Sequence, residues 1–419
     1  MQRRTITAPE KILIGIALIL ANLRALIFIF LFPDTSVFWG PAWIEIMLWI
    51  LVTAGLAYFL LRDHLVRDYF SIWCKNWLLA VFILLAIISI VWSVSPLVTL
   101  FRALELLFAT LVAAYLGTRF ETEQIMELLF WFGAGVFILS IALVFGAPKT
   151  GTMYWVPFYG AWRGVYWHRN HLASIAALLS AIYLCRALLA YKSRNSNGIL
   201  DGFFYIISLV ILFFARSATG YIVFLVLNIF VLGIWLWLSI SHRLQRRHYL
   251  FILSGIGMTA LVVLLNLNFV FGLFHRDTTL TGRVSLWKQL WVFASQRLWL
   301  GHGFGAIWTI DSFREQMKQL AAWTSQPLIA DNGFLDIFLH LGIIGLILLL
   351  GVLLITTVRS IRYGIAQKTL LGFFPLLIMV YAFFGNITFS LFTETEVFIW
   401  MLIVVALFMT MRFSSNASA

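Results

Sequence analysis

Between two long apolar blocks, residues 275–345 run through FHRDTTLTGRVSLWKQLWVFASQRLWLGHGFGAIW and then ADNGFLDIFLHLGIIGL. Thr281 can cap a helix on which Val284, Trp287, Leu290, Trp291 and Ala294 fall at helical spacing, an aromatic face suited to a membrane surface. Arg283 then sits in the first turn, where free N–H groups and the helix dipole already favour an anion. A phosphate would meet those amides and a bidentate guanidinium together, while the plain alternative is an interfacial arginine on lipid headgroups. Asp331 and Asn332 head the next apolar run, a costly place for a carboxylate unless water, cations or catalysis hold it there. GHGFG at 301–305 has neither the strand before nor the helix after that a phosphate loop needs, so it is read as a tight reversal. His302 and His340 are further candidate bases, His340 sitting deeper and reading as a core residue.

Two shorter stretches carry the remaining candidates. In FARSATGY, Arg216 stands between two apolar runs with almost no loop to hold it, so it faces either headgroups by snorkelling or a site in the protein. WRGVYWHRNHLAS offers Arg163, His168, Arg169, Asn170 and His171 just ahead of an apolar run. Its His-x-x-His spacing has no neighbouring carboxylate or cysteine and is a poor metal-ligand set. Arg102 and Glu105, three apart inside another apolar run, are expected to pair.

These residues have to be positioned by membrane helices. The 419-residue chain is 62% hydrophobic and 11% charged, with a mean hydropathy of +0.97, a balance no soluble domain carries without large exposed apolar patches. Long apolar runs without period-2 alternation exclude a barrel and predict an all-α polytopic membrane protein. Twelve spans are expected, at about 11–32, 43–61, 77–94, 97–117, 125–145, 172–189, 203–215, 221–240, 250–274, 334–357, 370–387 and 397–411. The stretch 203–215 is short for a span, and Gly342 and Gly345 are expected to allow close helix packing.

The division is 1–274 with nine helices, a large outer loop at 275–332 that holds short helices, and 333–419 with three helices, all in one membrane domain. With a cytoplasmic N-terminus, inner segments hold 17 of the 29 Lys and Arg residues and outer segments 10, so both termini are expected on the cytoplasmic side. The outer cations gather around 162–171, at Arg216 and in the large loop, which includes Arg276, and that concentration suggests an anionic ligand. Cys74 and Cys185 imply no disulfide framework, and the net charge of +12 is spread through loops, so nucleic acid is not an expected partner.

The ordered combination of an Arg-x-x-x-Trp segment, a Gly-x-Gly turn and an Asn-x9-Gly-x-x-Gly motif resembles the O-antigen ligase and polysaccharide polymerase superfamily. SVSPLVTLFRALELLFATLVAAYL, WRGVYWHRNHLA and LTGRVSLWKQLWVFASQRLWLGHGFGAIW look most like exopolysaccharide polymerases of the ExoQ type, over residues 93–347. The resemblance implies a GT-C-like, metal-independent and cofactor-free inverting glycosyltransferase in the bacterial inner membrane. Its donor would be an undecaprenyl-diphosphate-linked oligosaccharide at the periplasmic face, and its acceptor a glycan or lipid A-core, with a chain-length regulator as a further partner. The family's diphosphate arginines correspond to Arg216 and Arg283. Its acceptor-activating histidine corresponds to Asp331, a departure that leaves the base open. Arg163, Arg169, Asn170, His171, Arg276, His302 and Asn332 are expected to bind substrate. Polymerase and ligase share this donor site and are not separated by it, and a transporter of lipid-linked glycan stands as a rival from another class.

Overall fold

The computed structural model describes residues 6–22, 43–154, 158–193, 198–240, 283–321, 329–387, 389–392 and 397–416. Arg276, Thr281 and the expected span 250–274 lie outside them. Every regular element among the described residues is helical, and one antiparallel bridge joins Thr152 to Trp162. The chain opens with α1 (Ala8–Asn22), α2 (Trp43–Arg62), α3 (Val66–Lys75), α4 (Trp77–Ile88), α5 (Pro96–Arg119) and α6 (Thr122–Gly146). Then come α7 (Arg169–Ser193), α8 (Gly198–Ala215), α9 (Ala218–Ile240), α10 (Arg283–Ser295) and α11 (Asp311–Ala321). The last three are α12 (Gly333–Gln367), α13 (Phe374–Ile387) and α14 (Phe398–Asn416).

Seven of these helices, α2, α5 to α9 and α12, are long and apolar enough to cross a membrane. The count is eight if α3 and the helix from Trp77 to Val91, bent by 82° from it, form one broken span. The apolar helices at 371–387 and 398–411 are shorter. The expected short span at 203–215 begins five residues earlier, at Gly198, and its 18 residues suffice.

Helix α7 is the axis on which the site is mounted. Its small residues Ala173, Ala176, Ala177 and Ala181 are fully buried and let α8 and α9 lie close along it. At the start of α9 the approach is tightest, because a Cβ on Gly220 would fall 2.5 Å from that of Ala173. The turn between α8 and α9 is thereby pinned to the first turn of α7. Helix α14 packs along α5, α12 and α13.

The end of the bundle away from the candidate site is closed by ion pairs. Arg119 bonds Glu10 at 3.1 Å and Asp63 at 2.9 Å, and Arg62 completes the chain on Asp63 at 2.8 Å. Tyr115 also donates to Glu10. Arg186 and Asp201 pair at 2.7 Å between α7 and α8. Buried carboxylates are tolerated because each is met by a cation, Asp63 by two arginines and Glu10 by Arg119 together with Tyr115. Arg102 and Glu105 pair as expected, at 3.1 Å.

Gly342 has a different role from the one expected of it. Its backbone, φ 66° and ψ −165°, breaks α12 rather than easing the packing of a continuous helix. A Cβ there would fall 2.3 Å from the backbone of Trp299. The glycine turn at 301–305 docks into the break: His302 N–H donates to Leu339 C=O at 2.9 Å and Gly303 N–H to His340 C=O at 2.9 Å. In return Ile343 N–H reaches Leu298 C=O at 2.8 Å. The break therefore leaves these backbone groups satisfied, as a membrane-embedded helix interruption requires. Residues 333–341 then join the segment before them. Phe338 and Leu339 form a second apolar core with Leu286, Leu290, Trp308 and Phe313.

Candidate active site

The turn at 330–332 is held at nearly every polar group. Asn332 is the N-cap of α12, and its side-chain oxygen accepts from Phe334 N–H at 3.1 Å and Leu335 N–H at 3.0 Å. Its own N–H donates to Ser390 Oγ at 3.0 Å and its amide nitrogen to Ile387 C=O at 3.1 Å. One residue earlier, Asp331 takes a left-handed backbone, φ 53°, a turn conformation uncommon outside glycine, asparagine and aspartate.

Across from it stands the first turn of α10. Arg283 Nε donates to Asp331 Oδ2 at 2.9 Å, and both side chains are 15% exposed, so the pair is open to a ligand on one side. One helical turn further along, Trp287 Nε1 donates to Ala330 C=O at 2.8 Å. Residues four apart on a helix share a face, so α10 grips 330–331 with Arg283 and Trp287 together. Trp287 was expected in a membrane-facing stripe; the helix has two apolar faces instead. Leu286, Leu290 and Ala294 are buried in the protein, and Trp291 and Val292 point outward.

The second cluster surrounds Arg216. This residue is exposed and left-handed, φ 51°, directly after the last turn of α8. Arg169 donates from Nη1 to the Ala215 carbonyl at 3.2 Å and to the Arg216 carbonyl, and its guanidinium lies 4.0 Å over the Phe158 ring. Ser217 Oγ donates to Asn170 Oδ1 at 2.9 Å. The stretch around 162–171 and the Arg216 turn, separate in sequence, thus form one structure. The Arg216 guanidinium makes no hydrogen bond among the described residues.

The other expected ligands divide between the site and its frame. Arg163 is buried with its guanidinium on the carbonyls of Thr150, Trp167 and Lys149, at 2.8, 3.3 and 3.4 Å, and burial lowers its pKa. It braces the 150–167 turn. His302 is buried against Phe293, with Nδ1 3.1 Å from the Leu339 carbonyl. Nδ1–H donates a hydrogen bond to that carbonyl, while burial holds the imidazole below its usual range. His302 therefore serves the break in α12. His171 stacks on Tyr166 at 4.5 Å and meets Phe389 at 5.9 Å.

One chain of contacts and one charge effect tie the clusters together. Phe389, against His171, is followed by Ser390, which accepts from Asn332. The Arg283 charge also reaches His168, whose pKa is pushed down to about 3 by burial first and then by Arg169 and Arg283. His168 is neutral and uses Nδ1 to accept from Asn170 N–H at 3.2 Å, capping α7. Two arginines, one carboxylate and a neutral histidine accordingly share one end of the bundle.

Sequence reasoning did not single out Asp336. It is fully buried, and its carboxylate accepts from Trp308 Nε1 at 2.8 Å and from Ala330 N–H at 3.1 Å. An acid in the first turn of a helix is ordinarily explained by the dipole, so nothing in the sequence marked it.

Comparison with known proteins places these residues in context. Residues 203–350, which contain Arg216, Arg283, Asp331 and Asp336, match the O-antigen ligase family. The exopolysaccharide production protein ExoQ of Rhizobium meliloti (strain 1021) is 27% identical over 291 residues, 66% of this chain and 63% of ExoQ. The chain thus spans a little under two thirds of that relative's length. With an O-antigen ligase match over its site-bearing residues and ExoQ among its relatives, the chain is recognised as similar to the O-antigen ligase and polysaccharide polymerase superfamily.

Proposed function

We propose that the protein is a multi-pass inner-membrane glycosyltransferase that polymerises lipid-linked glycan repeat units at the periplasmic face. The donor in this reading is an undecaprenyl-diphosphate-linked oligosaccharide and the acceptor the terminal sugar of another glycan. The topology that goes with it has twelve spans, both termini in the cytoplasm and the loop at 275–332 outside. The observation that carries the reading is the Arg283–Asp331 pair at 2.9 Å within the family-matched residues, with Arg216 on the same end of the bundle.

In the reaction an acceptor hydroxyl attacks the anomeric carbon of the donor. The bond from that carbon to the diphosphate oxygen breaks, its electron pair leaves with the diphosphate, and configuration inverts. The protein's main task is to stabilise charge gathering on the leaving diphosphate. Arg283 spends Nε on Asp331 and makes no other hydrogen bond among the described residues, so Nη1 and Nη2 serve a phosphate, and Arg216 serves a second one. Asp331 accepts the hydroxyl proton and releases it to solvent. No resident metal takes part in this scheme.

Arrival of the diphosphate also changes the pair itself. A phosphate draws the Arg283 guanidinium away from Asp331, so the carboxylate becomes available to the acceptor only once donor is bound. Ligation to a lipid A-core acceptor is the second reading, favoured by the family description, and uses the same donor chemistry. Purified protein in vesicles with an undecaprenyl-diphosphate-linked repeat unit tests the choice. Polymerisation lengthens the lipid-linked glycan with no other acceptor present; ligation requires added acceptor; movement of intact donor across the bilayer with no new glycosidic bond would mean transport.

A further inference from the structure

The peptide that precedes Asp331 is clamped from both sides by side chains. Ala330 is fully buried, its carbonyl accepts from Trp287 at 2.8 Å, and its N–H lies 3.1 and 3.3 Å from the two carboxylate oxygens of Asp336. Trp308 Nε1 fixes that carboxylate by donating to Oδ1 at 2.8 Å. Asp336 lies in the first turn of α12, where a helix-dipole role would be ordinary. Its bonds are directed elsewhere, onto a buried peptide outside the helix and an indole from the 307–309 turn. The left-handed backbone of the next residue, Asp331, is thus held on its N-terminal side by the Ala330 clamp.

We infer that Asp336 is a positioning residue for the transfer reaction: by holding the Ala330 peptide against the opposing grip of Trp287, it aims the Asp331 carboxylate at Arg283 and the acceptor. The inference rests on the role of Asp331 given under the proposed function. An amide at 336 keeps the shape and, with its oxygen on Trp308, sets an NH2 donor where Oδ2 now accepts from Ala330 N–H at 3.1 Å, leaving only the longer 3.3 Å contact to hold that peptide. The Ala330 peptide is then free to turn, and Asp331 moves with it. A misplacement of about 1 Å in such a group costs on the order of 100-fold in rate.

The test compares wild type, Asp336→Asn and Trp287→Phe as full-length protein in detergent, taking only the monodisperse fraction. Hydrogen exchange across 330–332 is measured first, then turnover per donor site, with sites counted by binding of undecaprenyl diphosphate. Expected for Asp336→Asn are faster exchange at 330–332 with 343–367 unchanged, full donor stoichiometry, and turnover per site lower by about 100-fold. Trp287→Phe removes the opposing grip without touching the buried carboxylate, and is expected to lower turnover per site by about fivefold or more. Unchanged exchange, or unchanged turnover per site with fewer sites, overturns the inference, since the role is then structural; so does normal turnover per site in Trp287→Phe. If wild type neither binds the diphosphate nor transfers glycan, the proposed function fails instead, and exchange alone decides whether Asp336 holds 330–331.

Discussion

Arg283 and Asp331, 48 residues apart in sequence, meet at 2.9 Å where the first turn of α10 faces the head of α12. The family resemblance puts a histidine where this chain has Asp331, and a histidine could accept a hydrogen bond from the guanidinium but not form this ion pair. Under the proposed function this pair joins the phosphate-binding group and the proton acceptor in one contact. If donor phosphate must displace Asp331 from Arg283, the two functions are coupled in a measurable way.

Replacing Asp331 should therefore separate binding from chemistry. Asp331→Asn removes the competitor for Arg283, and donor affinity is expected to rise about two- to fivefold, the worth of a partly exposed ion pair. Turnover is expected to fall about 100- to 10,000-fold with the loss of the base. Titration with undecaprenyl diphosphate alongside a single-turnover assay checks both, and weaker donor binding in this variant would contradict the coupling.

Arg216 offers a separation of fold from function. Its left-handed backbone follows a helix end where glycine is the usual residue, and an arginine there costs about 1–2 kcal/mol. Arg216→Gly is expected to match or exceed wild-type thermal stability while losing most transfer activity. Arg216→Lys keeps the charge but not the planar fork and should fall between them. A variant that loses stability along with activity would show the side chain to be a structural brace.

The break in α12 predicts a sharp intolerance. At φ 66° and ψ −165° only glycine is comfortable, and an added Cβ would meet the Trp299 backbone. Gly342→Ala should abolish recovery of monodisperse protein, whereas Gly233→Ala, whose Cβ would meet nothing within 4 Å, should be recovered as wild type. Equal recovery of the two would mean that α12 runs through position 342 unbroken.

His168 gives a pH dependence of definite sign. Its folded pKa of about 3 lies below the ordinary histidine value of 6.5, so the unfolded chain takes up the proton first as pH falls. Its contribution to stability is complete above about pH 6.5 and is lost progressively from there down to about pH 3. Protonation would also end its cap on Asn170 and set a cation beside Arg169 and Arg283. His168→Asn is expected to flatten the fall in thermal midpoint between pH 6.5 and 4.5; an unchanged slope would place the acid-sensitive group elsewhere.

Much of this arrangement could be read from residue order alone. Arg283 ahead of a helical stripe, Arg216 in a loop too short to hide it, and Asp331–Asn332 at the head of an apolar run each carry a local physical reason for being where they are. The fates of Arg163, Arg169 and His302 could not be read, because a cation or imidazole near a membrane edge looks the same whether it meets a ligand or a backbone carbonyl. Gly342 was equally opaque, since an apolar run with a glycine in it has the same hydropathy bent or straight. Asp336 was hidden by a good alternative explanation, and only the position of Ala330 and Trp308 in three dimensions reveals its use.

The measurement closest to the central claim compares lipid-linked glycans in cells lacking the protein, restored with wild type or with Arg283→Ala. Accumulation of single repeat units on the lipid, with long chains returning only for wild type, is the predicted result and places Arg283 in a polymerase site. Accumulation of long lipid-linked chains would make ligation the missing step. No change in either pool would contradict the account.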